Sequence, residues 1–416
     1  MEYKEYELGE LIEYRNEKLL IENVSLENYI STENLLPNRN GKQNAEKLPN
    51  TKSVKKYYEN DILISNIRPY FKKIWQAEIP GGASNDVLIL NSCSNNTTND
   101  YLYYYLSQDK FFNYMTQTAK GTKMPRGDKK AILGYEIKVP NIKHIQNYIV
   151  NLGKNIDKKI ETNKKIIANL EELSQTLFKR WFVDFEFPDE NGNPYKSSGG
   201  EMVNSELGKI PKGWECVYLK DIVHHKKDTF NPKKSNESEV KHFSLPAFDS
   251  GQYPTIDNVT DIKSNKWIID ENCILFSKMN PTTRRIWVTS YNENFLNVAS
   301  SEFVVLKSDN SCRNAFIYNI CISDKFNEYL VSNTTGSTNS RQRVKPDIAV
   351  QYRFAYNEEV SYLLSKKIEP YIEKIKIIRE QNQNLTQLRD TLLPKLMSGE
   401  IEIPDDIEVN EDELSI

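Results

Sequence analysis

The sequence predicts an α/β (α+β) chain: two pseudo-symmetric globular domains joined by two long antiparallel coiled-coil helices. Three observations carry this prediction. The chain repeats itself with a period of about 215 residues, each repeat closes on a heptad pattern, and a run of turn formers separates the two. At 416 residues the chain exceeds one ordinary core. Apolar residues are 38% of it, with 24 Tyr and 16 Phe, which is surface enough for packed cores and excludes a disordered chain.

In chain order, the repeat begins with Asp61-Ile-Leu-Ile-Ser-Asn-Ile-Arg-Pro69, followed six residues on by Trp75. Its counterpart is Asn272-Cys-Ile-Leu-Phe-Ser-Lys-Met-Asn-Pro281, followed six residues on by Trp287. Both read as a buried strand stopped by a proline turn. The strand Ser84-Asn-Asp-Val-Leu-Ile-Leu90 answers Ser300-Ser-Glu-Phe-Val-Val-Leu306, and Asp109-Lys-Phe111 answers Asp324-Lys-Phe326. Next, the loop Gly121-Thr-Lys-Met-Pro-Arg126 answers Gly336-Ser-Thr-Asn-Ser-Arg341. Each precedes an alternating strand, Tyr135 to Val139 and Tyr352 to Tyr356.

Each repeat then ends on a seven-residue apolar period. In the first it comprises Ile149, Ile156, Asn163, Leu170 and Leu177, interleaved with Ile160 and Ile167. In the second it comprises Leu364, Tyr371, Ile378, Leu385 and Leu392, interleaved with Ile368 and Ile375. A seam sustained this long predicts a coiled coil, in which the polar Asn163 and Asn382 lower stability and fix register. A helix packed only on its own domain is the alternative, but that needs a broader and shorter apolar face. Between the repeats, Phe187 to Gly200 is rich in turn formers and reads as a linker. The resulting boundaries are 1–141 for the first globular domain, 142–185 for its helix, 186–209 for the linker, 210–357 and 358–399 for the second pair, and 400–416 for an acidic tail.

Several classes are excluded or disfavoured. No segment approaches the roughly 20 apolar residues that cross a bilayer, and the start lacks a signal-peptide pattern, so a cytoplasmic protein is expected. The five cysteines are odd in number and never in C-x-x-C spacing, which argues for reduced, mostly buried thiols over disulfides or zinc. No phosphate-binding P-loop, H-E-x-x-H motif or Cys/His cluster is present, so no metal site is expected. His224-His225 reads as a loop feature, and Asp184 with Glu186 is the best acidic pair for the alternative of a stand-alone magnesium-dependent nuclease. A scaffold whose coiled coil alone functions is a third reading.

What the sequence does supply suits phosphate and base contact. Lys120, Lys123, Arg126, Lys129 and Lys130 crowd one loop with Thr122; Arg341, Arg343 and Lys345 occupy the matching loop with Ser337, Thr338, Asn339 and Ser340. A charged loop is more often a solvated surface, but recurrence at the same place in both halves reverses that preference. Arg68 with Tyr70, and Lys278 with Arg284 and Arg285, follow the proline-turn strands as a second contact set. The net charge of −3 does not contradict this, because the tail alone carries eight acidic residues and the remainder is +5. A helix from Ile149 to Leu177 spans roughly 42 Å, longer than one DNA turn of about 34 Å.

At the junction, Arg180-Trp-Phe-Val-Asp-Phe-Glu-Phe-Pro188, Gly199-Gly-Glu-Met-Val203 and Ile210-Pro-Lys-Gly-Trp-Glu215 strongly resemble the central region of type I restriction-modification specificity subunits. The ending Leu388-Arg-Asp-Thr-Leu-Leu-Pro-Lys-Leu-Met-Ser-Gly-Glu400 resembles them too. The resemblance implies that 1–141 and 210–357 are target-recognition domains, each reading half of a bipartite double-stranded DNA target. It implies helices that space the halves and dock two modification (methyltransferase) subunits, and no catalysis by the chain itself. S-adenosylmethionine would then lie in the modification subunits, and ATP and magnesium in restriction subunits where these join. In that family Pro-Pro and Glu-Gln often open the helix; here Pro140-Asn141 and Ile145-Gln146 stand in, and Val360-Ser361 in the second repeat.

Overall fold

The computed structural model describes residues 2–226, 228–271, 273–308, 311–336 and 342–404, without the side chains of 311 and 312. They form two compact units, Met1–Glu161 with Asn384–Ile416, and Thr162–Gln383. The acidic tail beyond 404 lies outside the described residues.

In the first unit one sheet has the order Ile12–Tyr14, Val87–Ser92, Ile62–Ser65, Ile74–Gln76, all antiparallel. A second has the order Lys18–Leu20, Ser53–Tyr57, Gly81–Ala83, Tyr29–Ile30, its last pair parallel. Tyr3–Glu7 pairs separately with Glu136–Pro140. The second unit repeats this plan. Its first sheet runs His224–Lys226, Phe303–Lys307, Cys273–Ser277, Ile286–Val288; its second runs Thr229–Phe230, Lys266–Ile268, Leu296–Ser300, Glu239–Phe243, with Thr255–Asn258 added at the edge. Glu215–Tyr218 pairs with Arg353–Tyr356.

The proline-stopped strands are apolar up to their terminal Ser65 and Ser277 because they are buried on both faces. Alternate side chains leave a strand on opposite sides. Ile62 and Ile64 therefore enter the core that holds Phe111 and Tyr104, while Leu63 enters a smaller one with Trp75 and Tyr57. In the second unit Ile274 and Phe276 face Phe316 and Phe326, and Leu275 faces Trp287. The Asp-Lys-Phe segments open the helices Asp109–Gln117 and Asp324–Ser332, whose Phe111 and Phe326 are fully buried.

The long helices are Lys143–Phe182 and Glu358–Ser398, of 40 and 41 residues. At 1.5 Å per residue each is about 60 Å long. The first starts where buried Gln146 donates to the carbonyls of Pro140 and Asn96. In the second, Ser361 Oγ bonds the Glu358 carbonyl. Within the second unit they run antiparallel: Asn163 Nδ2 donates to Asn382 Oδ1 at 2.8 Å, and Arg379 pairs with Glu171 at 3.0 Å.

None of the heptad residues is exposed, but the seam does not stay on the strict seven-residue register. Leu170, Leu177, Tyr371 and Leu392 are half-buried, whereas Ser174, Phe178, Phe182, Ile372, Leu393 and Met397 are buried. An unsupercoiled helix at 3.6 residues per turn drifts about 20° per heptad, so its contacts move to a neighbouring row. There the helices join the globular cores. Phe178, Trp181 and Phe182 pack with Trp214 and Phe316 in the second unit, and Leu393, Leu396 and Met397 pack with Tyr104, Ile145 and Ile149 in the first. Each compact unit is thus completed by a helix segment belonging to the other sequence repeat.

The segment read as a linker is folded. Phe187 is buried against Tyr195 and Trp214, with ring centroids 4.7 and 5.0 Å apart, and Met202–Ser205 forms a hairpin with Gly208–Pro211. Its turn formers make tight turns at the surface of this folded segment, as the exposed Gly192 at φ 81° shows. Among the described cysteines Cys273 and Cys321 are buried, Cys216 is intermediate and Cys93 is exposed; all four are free. No described helix is long and apolar enough to cross a membrane.

Candidate nucleic-acid interface

In each unit the proline turn and the basic loop are stitched into one surface. In the first, Ile67 pairs with Arg126, Lys120 pairs with Arg126, and the Arg68 N–H donates to the Pro125 carbonyl at 2.8 Å. In the second, Met279 pairs with Arg343, Thr335 with Arg343, and the Asn280 N–H donates to the Gln342 carbonyl at 2.9 Å. Arg68 and Asn280, each preceding the proline, both have left-handed backbones at φ 51° and 48°. Gly127 permits the close approach in the first unit, since a Cβ there would lie 2.9 Å from Asn66 Oδ1 and 2.5 Å from Met115 Cε.

This stitching makes Arg343 the counterpart of Arg126, in place of the Arg341 that the sequence alignment matched. The second loop is two residues longer, and backbone pairing from its far side sets the register. Arg341 itself, with Ser337, Thr338, Asn339 and Ser340, lies outside the described residues.

The remaining predicted residues divide by how free they are. Thr122, Lys123, Lys129 and Lys130 are exposed beside Arg126, and Lys345 beside Arg343. Lys120 is exposed and ion-paired with Asp128, which caps the helix Lys129–Leu133; that hydrogen bond and the Lys130 N–H hold the Asp128 carboxyl below its ordinary value. Lys278 is intermediate. Arg68 is half-buried, and its buried Nε has no hydrogen-bond partner. Arg284 is tied to Asp324 at 2.6 Å, as Lys72 is to Asp109 at 2.8 Å in the first unit. Arg285 is gripped by both oxygens of Asp249 at 2.6 and 3.0 Å and is largely buried.

Sequence reading missed four groups at this surface. Tyr70, already singled out, lies tilted against Phe71 with ring centroids 4.8 Å apart, and both are exposed, as is Met124. Beneath the loops, Asp86 pairs with Arg126 at 3.1 Å and Glu302 with Arg343 at 3.1 Å. The available signal was the aligned acid in Ser84-Asn-Asp86 and Ser300-Ser-Glu302. The alternative acidic pair does not converge: Asp184 binds Lys179 at 2.9 Å, and Glu186 binds Ser197. Among the described residues no cluster of three or more His, Cys, Asp or Glu is placed to hold a metal ion. His224 and His225 lie on the strand paired with Phe303–Lys307.

Residues 1–172 match the family model of the type I restriction modification DNA specificity domain. The chain is 27% identical over 316 residues to the type I restriction enzyme MjaIX specificity subunit of Methanocaldococcus jannaschii, covering 73% of this chain and 69% of that one. It is 23% identical to the type I restriction enzyme HindI specificity subunit of Haemophilus influenzae, covering 96% of this chain and 100% of the relative. In fold it resembles the crystal structure of the type-I restriction-modification system S subunit from M. genitalium, with a TM-score of 0.52 at 14% identity over 97% of both chains.

Proposed function

We propose, from the premise that this chain belongs to the specificity subunits of type I restriction-modification enzymes, that its two stitched loop surfaces are where DNA is read. The chain is a sequence-specific DNA-recognition subunit and is not itself catalytic. Domains 1–141 and 210–357 each read one half of a bipartite target. The observation that carries this reading is the recurrence, in two units of different sequence, of one strand, one proline turn and one arginine-bearing loop joined by the same backbone pairings.

The division of labour follows from the reaction. A methyltransferase must take its target base out of the stack into a pocket, so another surface has to hold the register on the duplex. In this reading S-adenosylmethionine is held by two modification subunits, and ATP and magnesium by restriction subunits where these are present, all in the cytoplasm. Exposed apolar residues on the long helices suit docking of the modification subunits. Leu173 is 53% exposed and Ile377 58% exposed, each on a helix whose opposite face is packed. The helices also set the gap between half-sites.

The test uses the chain reconstituted with its modification subunits. Specific duplex binding that weakens steeply with salt, and site-specific methylation that requires both components, are expected. Methylation by the isolated chain, or the absence of specific DNA affinity in the complex, would overturn the reading.

A further inference from the structure

We propose that Asp86 and Glu302 are positioning residues for DNA reading, each fixing the arginine of its unit in the pose that meets the bases. This rests on the reading above that the loops contact DNA. Both acids sit in the turn immediately before a central strand, Val87–Ser92 or Phe303–Lys307, and both are built into the frame. The Asp86 carbonyl accepts from the Asn66 N–H at 2.8 Å, and the Glu302 carbonyl from the Lys278 N–H at 3.0 Å. The turn that bears each acid is pinned from below at the same carbonyl. Lys55 Nζ donates to Val87 O at 2.8 Å, and Trp267 Nε1 donates to Phe303 O at 3.0 Å. Two chemically different side chains thus hold equivalent backbone atoms, so the acid's placement is kept while its support varies.

Stability does not account for these pairs. The Arg126 and Arg343 side chains are 57% and 47% exposed, and ion pairs so open contribute little to folding. A guanidinium, however, is a planar fork of five donors. An acid on one edge restrains the guanidinium and leaves its remaining donors for a partner, which removes side-chain freedom before that partner arrives. The two forks are held differently. Glu302 accepts hydrogen bonds from both Nε and Nη2 of Arg343, at 3.1 and 3.3 Å, whereas Asp86 meets Arg126 as a single-point ion pair at Nη2, 3.1 Å away. The two units therefore present different donor edges, and the paired acceptors on a guanine edge are the group that such a fork reads.

The experiment reconstitutes the full chain with its modification subunits, methylates a library of duplexes with randomised positions, and reads the methylated fraction by sequencing. Four variants are compared with the wild type: Asp86→Asn, Glu302→Gln, Arg126→Ala and Arg343→Ala. Asp86→Asn is expected to relax discrimination about tenfold at positions within one half-site only, and Glu302→Gln likewise within the other half-site only. Thermal unfolding should match the wild type. If the arginine variants relax the motif and the acid variants leave it intact, or weaken methylation evenly without relaxing it, the positioning role is overturned. If the arginine variants also leave the motif intact, the loops are not the reading surface and the earlier reading falls instead.

Discussion

Removing one partner of the asparagine pair between the long helices should cost more than removing both. Asn163 and Asn382 are 3% and 7% exposed, and Asn163 Nδ2 donates to Asn382 Oδ1 at 2.8 Å and to Gln381 Oε1 at 3.0 Å. Replacing Asn382 by Ala strands one donor hydrogen of Asn163 away from water, at a cost of about 1–3 kcal/mol. The lower end applies here, because the bond to Gln381 survives. Replacing both asparagines by Leu leaves nothing unsatisfied and adds apolar contact, since Gln381 is exposed and regains water; the double variant should be close to neutral or more stable. Urea unfolding followed by tryptophan fluorescence reports the second unit, because Trp181, Trp214, Trp267 and Trp287 lie in it and only Trp75 lies in the first. The single variant should lower the midpoint by about 0.5 M. The double variant should restore or raise it, while broadening the range of half-site gaps that are methylated. A double variant as unstable as the single one would refute the assignment of the pair to register at a cost in stability.

Arg126→Ala or Arg343→Ala should weaken duplex binding by about 1–3 kcal/mol, measured by titration at fixed salt. Trp214→Ala should destabilise the second unit by about 3–5 kcal/mol in the same urea assay, since its ring is buried among Phe182, Phe185 and Phe187. Leu173→Glu and Ile377→Glu should abolish co-purification with the modification subunits and leave the unfolding midpoint unchanged. His242 gives a pH dependence. It is buried, its Nε2 has no hydrogen-bond partner, and burial lowers its pKa from the ordinary 6.5 despite Asp257 at 2.7 Å. Below pH 6.5 the unfolded chain takes up a proton that the folded one resists, so stability should fall as pH drops through that value. His242→Gln should flatten the dependence of the urea midpoint between pH 7.5 and 5.5.

The repeat was legible because its strands carry a physical constraint at every residue. Ile62 to Ile64 and Cys273 to Phe276 are buried on both faces, so neither segment can vary toward polar residues without spoiling one of two cores. The long helices were legible in length and blurred in packing. A heptad template finds Ile149 and Ile368 but assigns no role to Phe178, Trp181 or Phe182, because those side chains answer to Trp214 and Phe316, whose position is a tertiary fact. Asp86 and Glu302 were in view as letters, yet an acid in the turn before a strand reads as solvated until the loop bearing its arginine is folded over it. The Arg343 register failed for a related reason. Matching Gly121 to Gly336 counts from one side of the loop, and the backbone pairs from the other.

The helix segment that each unit takes from the other sequence repeat also bears on how specificity can be exchanged. Transferring the first recognition domain should carry half of the target with it, and a cut at 141 looks natural from sequence. Yet inside the first unit that domain contributes Tyr104, whose hydroxyl donates to Asp157 at 2.8 Å, and Asp157 in turn binds Arg389 at 2.6 Å on the second long helix. Leu393, Leu396 and Met397 fill the same core. A graft of 1–141 alone would set a foreign domain against these residues; the Asp157–Arg389 pair would stay, but losing the Tyr104 hydroxyl from the half-buried carboxylate removes a charge-assisted hydrogen bond of about 1.5–3 kcal/mol. A graft that also carries 142–161 and 384–404 keeps the whole unit. The second graft should assemble and methylate a hybrid target, whereas the first should do so only where the donor supplies a tyrosine at position 104; equal performance of both grafts from a donor lacking it would show that this contact does not matter.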